Sequence, residues 1–243
     1  MSLVVTNSIP PSTVVGSIPA IDSGASAGFG IALVFAVHIA AGVIALGAGL
    51  GAILTRKGGR RHRLVGRCYA LTMGVVVVTA LPMAYWASNW FLLAIAVFSG
   101  YLVFGGYRAR SRRAASTRPT TIDYTGHGTM IVVGTAMVIA GGWQTVTGPI
   151  GLAPALAAFG GIGAAFAVFT LVSTRGGPLA RPPWIQSHIA FMGGAYIATV
   201  TAAVTVNLTS IPPLLRWLGP TALGVPLIGY AIRRYTPQFA PGA

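Results

Sequence analysis

The 243-residue chain is 54% hydrophobic and only 7% charged, whereas about a quarter of the residues of a water-soluble globule are charged. Too little polar surface exists to cover such a globule, so lipid must supply part of the solvent. The net charge of +14 does not point to nucleic acid, because the basic residues sit in short segments between long apolar runs, and the single cysteine, Cys68, excludes an intramolecular disulfide and gives no sign of a thiol-based metal site or redox pair.

Residues 1–27 contain no Lys or Arg and hold Pro10, Pro11 and Pro19 among Ser and Thr. Lacking the basic start of a cleaved signal peptide, they read as a poorly ordered extracytoplasmic leader. A hydrocarbon layer of ~30 Å takes about 20 apolar residues to cross as a helix. Seven such stretches follow: Gly28 to Leu54, Leu64 to Trp86, Trp90 to Tyr107, Gly128 to Thr147, Gly151 to Ser173, Ile189 to Leu208, and Pro213 to Ile232. The third is short, and the seventh holds Pro220, Pro226 and Arg216. The predicted fold is an all-α, polytopic transmembrane bundle over residues 28–232, followed by a short tail over 233–243.

Basic residues mark alternate connections. Arg56, Lys57, Arg60, Arg61 and Arg63 lie between the first two helices, with Arg67 one turn into the second. Arg108, Arg110, Arg112, Arg113 and Arg118 lie between three and four, Arg175 and Arg181 between five and six, and Arg233 and Arg234 after seven. Arg216 alone departs from the pattern. Because Lys and Arg concentrate in short cytoplasmic loops, the expectation is a multi-pass protein of the cytoplasmic (inner) membrane, with its N-terminus outside and its C-terminus cytoplasmic. The connections near Ala87 to Asn89, Gly148 to Ile150 and Thr209 to Pro212 are short and uncharged, which predicts tight antiparallel hairpins. Trp86, Trp90, Trp143 and Trp217 fall near that outer boundary, where amphipathic rings prefer to sit. The Gly47/Gly51 spacing and Gly160, Gly161 and Gly163 offer small surfaces for helix contact. A Gly-x-x-Tyr-x-x-Thr spacing occurs twice, at Gly66, Tyr69, Thr72 after His62 and at Gly193, Tyr196, Thr199 after His188.

Ionisable groups inside a membrane are costly and are default functional candidates. The acidic residues are Asp22 and Asp123, neither within a predicted span, which weakens a carrier built on a buried carboxylate. A retinal Schiff base is excluded, since the sole lysine, Lys57, lies in a loop. His62, His127 and His188 each stand at the cytoplasmic start of an inbound helix, at nearly one depth. Imidazoles so placed are candidate axial ligands for haem b or a three-histidine site for a divalent metal; as interfacial groups they would simply bond water or headgroups. His38 is sixteen residues before Leu54, ~24 Å along a helix, and Met83 is a conceivable partner at its depth. A structural bond to a neighbouring helix accounts for His38 equally well. Asp123, four residues before His127, either orients that imidazole or caps the fourth helix. The arginines and helix N-termini on one face would also favour anionic lipid.

The run His38-x-x-x-Gly42-x-x-Ala45-Leu46, the basic loop, and His62-Arg63-x-x-Gly66-Arg67-x-Tyr69 resemble bacterial membrane proteins grouped as domain of unknown function 2306. Trp184-Ile-Gln-Ser-His188-x-x-x-Met192-Gly-Gly-Ala-Tyr196-Ile-Ala-Thr199-Val-Thr201-Ala, with Asn207, Pro212-Pro213 and Pro226-Leu-Ile, is similar to a branch of the same group. The likeness covers residues 38–69 and roughly 184–230, and departs around His127. It implies the helical architecture and marks His38, His62 and His188, but supplies no reaction. Two functions stand side by side: a haem b or metal-binding membrane redox protein using His62, His127 and His188, and a non-enzymatic carrier or accessory protein with His38 lining a polar pathway.

Overall fold

The computed structural model describes residues 25–111, 119–175 and 183–239. Asp22, most of the leader, Arg112, Arg113, Arg118, Arg181 and the last four residues lie outside them. Seven helices run in order: α1 (Ala25–Leu54), α2 (Arg60–Trp86), α3 (Trp90–Ser111), α4 (Thr121–Thr147), α5 (Ala153–Arg175), α6 (Trp184–Asn207) and α7 (Pro213–Tyr235), followed by a 3-10 turn (Thr236–Phe239). Among the described residues there is no strand. Helices α1 to α6 are each long and apolar enough to cross a membrane, and large side chains such as Val43, Leu71 and Val132 face outward, where lipid replaces water as their favourable solvent. α7 falls outside that group because Arg216, Arg233 and Arg234 dilute its apolar run.

Helices α2, α4 and α6 begin four to seven residues before the apolar stretches that predict them, at Arg60, Thr121 and Trp184. Hydrocarbon thickness fixes where apolar side chains must lie, whereas backbone hydrogen bonding carries a helix on into the interface. The prolines of α7 do not break it: Pro220 and Pro226 sit inside one continuous helix. The interruption expected of a carrier pathway helix is therefore absent from α7.

Consecutive helices pack as neighbours, except α5 and α6. The turn between α2 and α3 is held by Ser88 in the left-handed region (φ 49°), and Asn89 caps α3 by accepting the Leu92 N–H at 3.0 Å. α3 is the central helix, touching α2, α4, α5 and α6. Tyr101, Leu102 and Val103 are all buried, as are Gly105 and Gly106, so protein surrounds α3 on every side there. Phe191 and Met192 of α6 lie directly on Gly105 and Gly106, where a Cβ would collide with them.

Glycine does bring two helices together, but only at one of the two anticipated places. In the α4–α5 seam, a Cβ on Gly160 would lie 2.6 Å from the Gly134 carbonyl, and one on Gly141 2.6 Å from that of Ala153. Gly47 by contrast faces open space, and a Cβ at Gly51 would make ordinary contact with Val65. Spacing alone does not say which side of α1 meets protein, and it is Gly49 that receives a neighbour, the ring of Tyr196.

Candidate functional site

Contacts between helix ends define two poles. The end of α1 meets the start of α2 through His62, the end of α3 meets the start of α4 through Arg108 and Asp123, and the end of α3 meets the start of α6 through His188. These joints share the basic pole with Lys57 and Tyr235, whose ring centroid is 5.5 Å from the Lys57 Nζ. The α2–α3, α4–α5 and α6–α7 turns form the uncharged pole.

His62 Nδ1 donates to the Ala52 carbonyl at 3.0 Å, and His188 Nδ1 donates to the Gly106 carbonyl at 3.0 Å. His127 is buried, with Nδ1 hydrogen-bonded to the Tyr101 hydroxyl at 3.0 Å and its ring edge-on to Tyr101 and Phe104. The three close on different partners. His188 and His127 meet α3 at Gly106 and Tyr101, five residues and hence ~7.5 Å apart along its axis, and His62 sits instead between α1 and α2. Among the described residues no three His, Cys, Asp or Glu side chains form a group able to hold a metal ion. A carbonyl can only accept, so His62 and His188 carry the Nδ1 proton and keep the Nε2 lone pair, when neutral.

Asp123 is fully buried and accepts from Arg108 Nε at 2.8 Å and Nη2 at 2.7 Å, from the Thr120 N–H at 2.9 Å and from the Thr120 hydroxyl at 2.9 Å. It thus caps α4 and clasps α3 to it. The two Gly-x-x-Tyr-x-x-Thr segments meet as well: the Tyr69 and Tyr196 rings stand edge-on with centroids 6.2 Å apart, and the Tyr69 hydroxyl bonds Thr199 at 3.1 Å. Their roles differ, since His62 ties α2 to the preceding helix while His188 ties α6 to α3.

A cleft of about 1040 Å³, walled by α1, α2, α3, α5, α6 and α7, reaches from Ala190 and Ile228 on the basic side to the uncharged pole. Its existence follows from how α1 meets α6. The Tyr196 hydroxyl donates to the Leu46 carbonyl at 3.3 Å and its ring lies on Gly49, a clasp beside which the cleft lies. Ile39 and Val43 on its α1 side are 61% and 66% exposed, so it opens sideways toward lipid. Asn89 and Asn207 stand at its end by the uncharged pole. His38 is the sole ionisable side chain among its lining residues, and Met83 shares the wall.

His38 Nδ1 lies 2.8 Å from Thr79 Oγ1, while that hydroxyl donates to the Val75 carbonyl at 2.7 Å. With its one proton so committed, Thr79 accepts from His38, whose ring also meets the Val76 backbone, and a neutral ring of this tautomer has Nε2 as its acceptor.

At the basic pole a smaller recess of about 560 Å³ is lined by Arg56, Lys57, Tyr235 and Gln238. The Lys57 ammonium donates to the carbonyls of Ala52 (3.2 Å), Ile53 and Thr55 (3.4 Å), closing the end of α1 where free carbonyls collect. Burial pushes its pKa down from the ordinary lysine value.

Sequence reasoning passed over Tyr101 and Arg108, which hold His127 and Asp123. Five arginines precede Asp123 in the same connection, which signals a cationic partner for it but not which of the five. The cleft had no signal, because its walls come from six helices that share only apolar composition. No family model matches the chain, and neither does any curated protein or solved structure.

Proposed function

We propose that this integral membrane protein is a non-enzymatic carrier or accessory protein that takes a long-chain, lipid-like molecule into the cleft between α1 and α6. The observation that carries this reading is an apolar cleft of about 1040 Å³, open sideways, with a single ionisable side chain on its wall. That volume lies at the upper end of the ~300–1,000 Å³ typical of ligand sites. An apolar space at membrane depth favours a hydrocarbon body over water. His38 Nε2 supplies one acceptor for a hydroxyl on the guest. The positive-inside pattern supports an orientation with the basic pole cytoplasmic, and the recess at Arg56 and Lys57 then suits anionic headgroups.

The test is saturable binding of radiolabelled oleyl alcohol to the full chain in phosphatidylcholine nanodiscs, compared with A198W, whose ring would occupy the cleft that Ala198 lines. Binding by the native protein and its loss in a folded A198W are expected. Equal binding by both would overturn the reading.

A second reading, haem b held by histidine, is supported by the Nδ1-protonated form of His62, whose Nε2 is then the ring atom an iron or metal would take. Protein expressed with ample haem should then show a Soret band that shifts on dithionite reduction; an empty visible spectrum would remove it.

A further inference from the structure

Arg216 stands in the first turn of α7 and is only 7% exposed. Of the five N–H groups of its guanidinium, Nη1 donates to the Thr205 carbonyl at 2.7 Å, while Nε is buried without a hydrogen-bond partner. The hydroxyl oxygens of Thr201 and Thr205 are likewise buried and unpartnered. These two threonines are four residues apart and so share one face of α6, the face that the Arg216 bond already ties to α7. Thr201 and Trp217, the residue next to Arg216, both line the cleft near the uncharged pole.

The cation is unfavourably placed in three respects. It is removed from water, which costs several kcal/mol for an unpaired ion. It lies at the N-terminal, positive end of a helix dipole, with no acidic residue in that turn. The one carboxylate among the described residues, Asp123, is bound to Arg108 at the opposite pole. One carbonyl does not offset this, and Arg216 Nε and the Thr201 and Thr205 hydroxyls are three buried polar atoms left unused along the α6–α7 seam.

We infer that Arg216, with the Thr201 and Thr205 hydroxyls, binds the anionic head of an acyl-chain amphiphile whose tail occupies the cleft. The inference rests on the cleft reading and adds its substrate class: a single-headed lipid ending in a carboxylate or phosphate. Arg216 supplies charge and a directed Nε–H, and the threonine hydroxyls donate to the same head. Helices α1 and α7 end together at the basic pole, where Lys57 meets Tyr235; His38 is sixteen residues from the end of α1 and Arg216 nineteen from the end of α7, so the head sits ~4.5 Å nearer the uncharged pole than the imidazole.

Oleate and oleyl alcohol share a tail and differ in head, which separates the two readings. In phosphatidylcholine nanodiscs the full native chain should hold oleate ~10- to 100-fold more tightly than oleyl alcohol, the range of a hydrogen bond to a charged group. R216Q should bring that ratio close to one. T201V, nearly isosteric, should lower the ratio several-fold and reports independently if R216Q does not fold. A native ratio near one, with oleyl alcohol still binding saturably, overturns the anion site and leaves the cleft. Failure of both probes removes the cleft reading and this inference with it. If inorganic phosphate alone displaces oleate through Arg216 at equal concentration, the site takes free anions and the amphiphile assignment falls. If a preference for oleate emerges only in D22N, Asp22 is the counter-ion and the inference is overturned.

Discussion

Replacing Asp123 by asparagine keeps the side chain's size and removes its charge, at a position where one carboxylate receives four hydrogen bonds. Arg108 contributes two of them and Thr120 the other two. The asparagine oxygen in the place of Oδ2 can keep three of them, but its NH2 group then faces the Arg108 Nε–H and leaves that donor unmatched. Breaking a fully buried pair costs about 3–5 kcal/mol. Arg108 is 24% exposed and can regain some hydration, so the expected loss is about 2–4 kcal/mol. For a chain of this length that is a fall of about 4–16 °C in Tm, read by thermal unfolding in mild detergent. A double-mutant cycle with R108Q should return a coupling of about 1–3 kcal/mol. The reasoning fails if D123N melts within about 1 °C of the native protein, or if the two substitutions prove additive.

Three further outcomes are expected. G160A should destabilise by about 1–3 kcal/mol, since its methyl meets backbone rather than a yielding side chain, whereas G47A, facing open space, should be neutral or gain up to about 1 kcal/mol of helix propensity; similar thermal shifts for the two would discredit the α4–α5 seam. H38A should weaken oleyl alcohol binding by ~2- to 10-fold, the worth of one neutral hydrogen bond, and wild-type affinity in the variant would leave His38 as a structural tie to Thr79. In a C68S background, an impermeant maleimide applied to intact cells should label S88C and S210C but not T55C or Q238C. The reverse pattern would invert the bundle, and labelling of both S210C and Q238C from one side would show that α7 does not cross.

Much of the architecture was legible because the membrane imposes a length and a polarity on each segment. A stretch such as Gly28 to Leu54 has few other ways to satisfy its backbone and side chains, and the helices α1 to α6 appear where apolar length demands them. The arginines were legible for the same reason: Arg56 to Arg63 and Arg233 to Arg234 mark the ends of helices whatever those helices pack against. Arg216 was visible as the single exception, though composition could not say that it was buried or what lay beside it.

What only tertiary structure decided is which face of each helix meets protein, since in lipid the apolar code does not distinguish a neighbour from a solvent. His62, His127 and His188 look alike in sequence, yet they close on a carbonyl of α1, a phenol of α3 and a carbonyl of α3. Gly47 and Gly160 look alike too, yet one faces open space and the other the backbone of α4. The cleft belongs to this second category entirely: it is the gap left because Tyr196 holds α6 against α1 at Gly49 and Leu46, and a gap has no residues of its own to read.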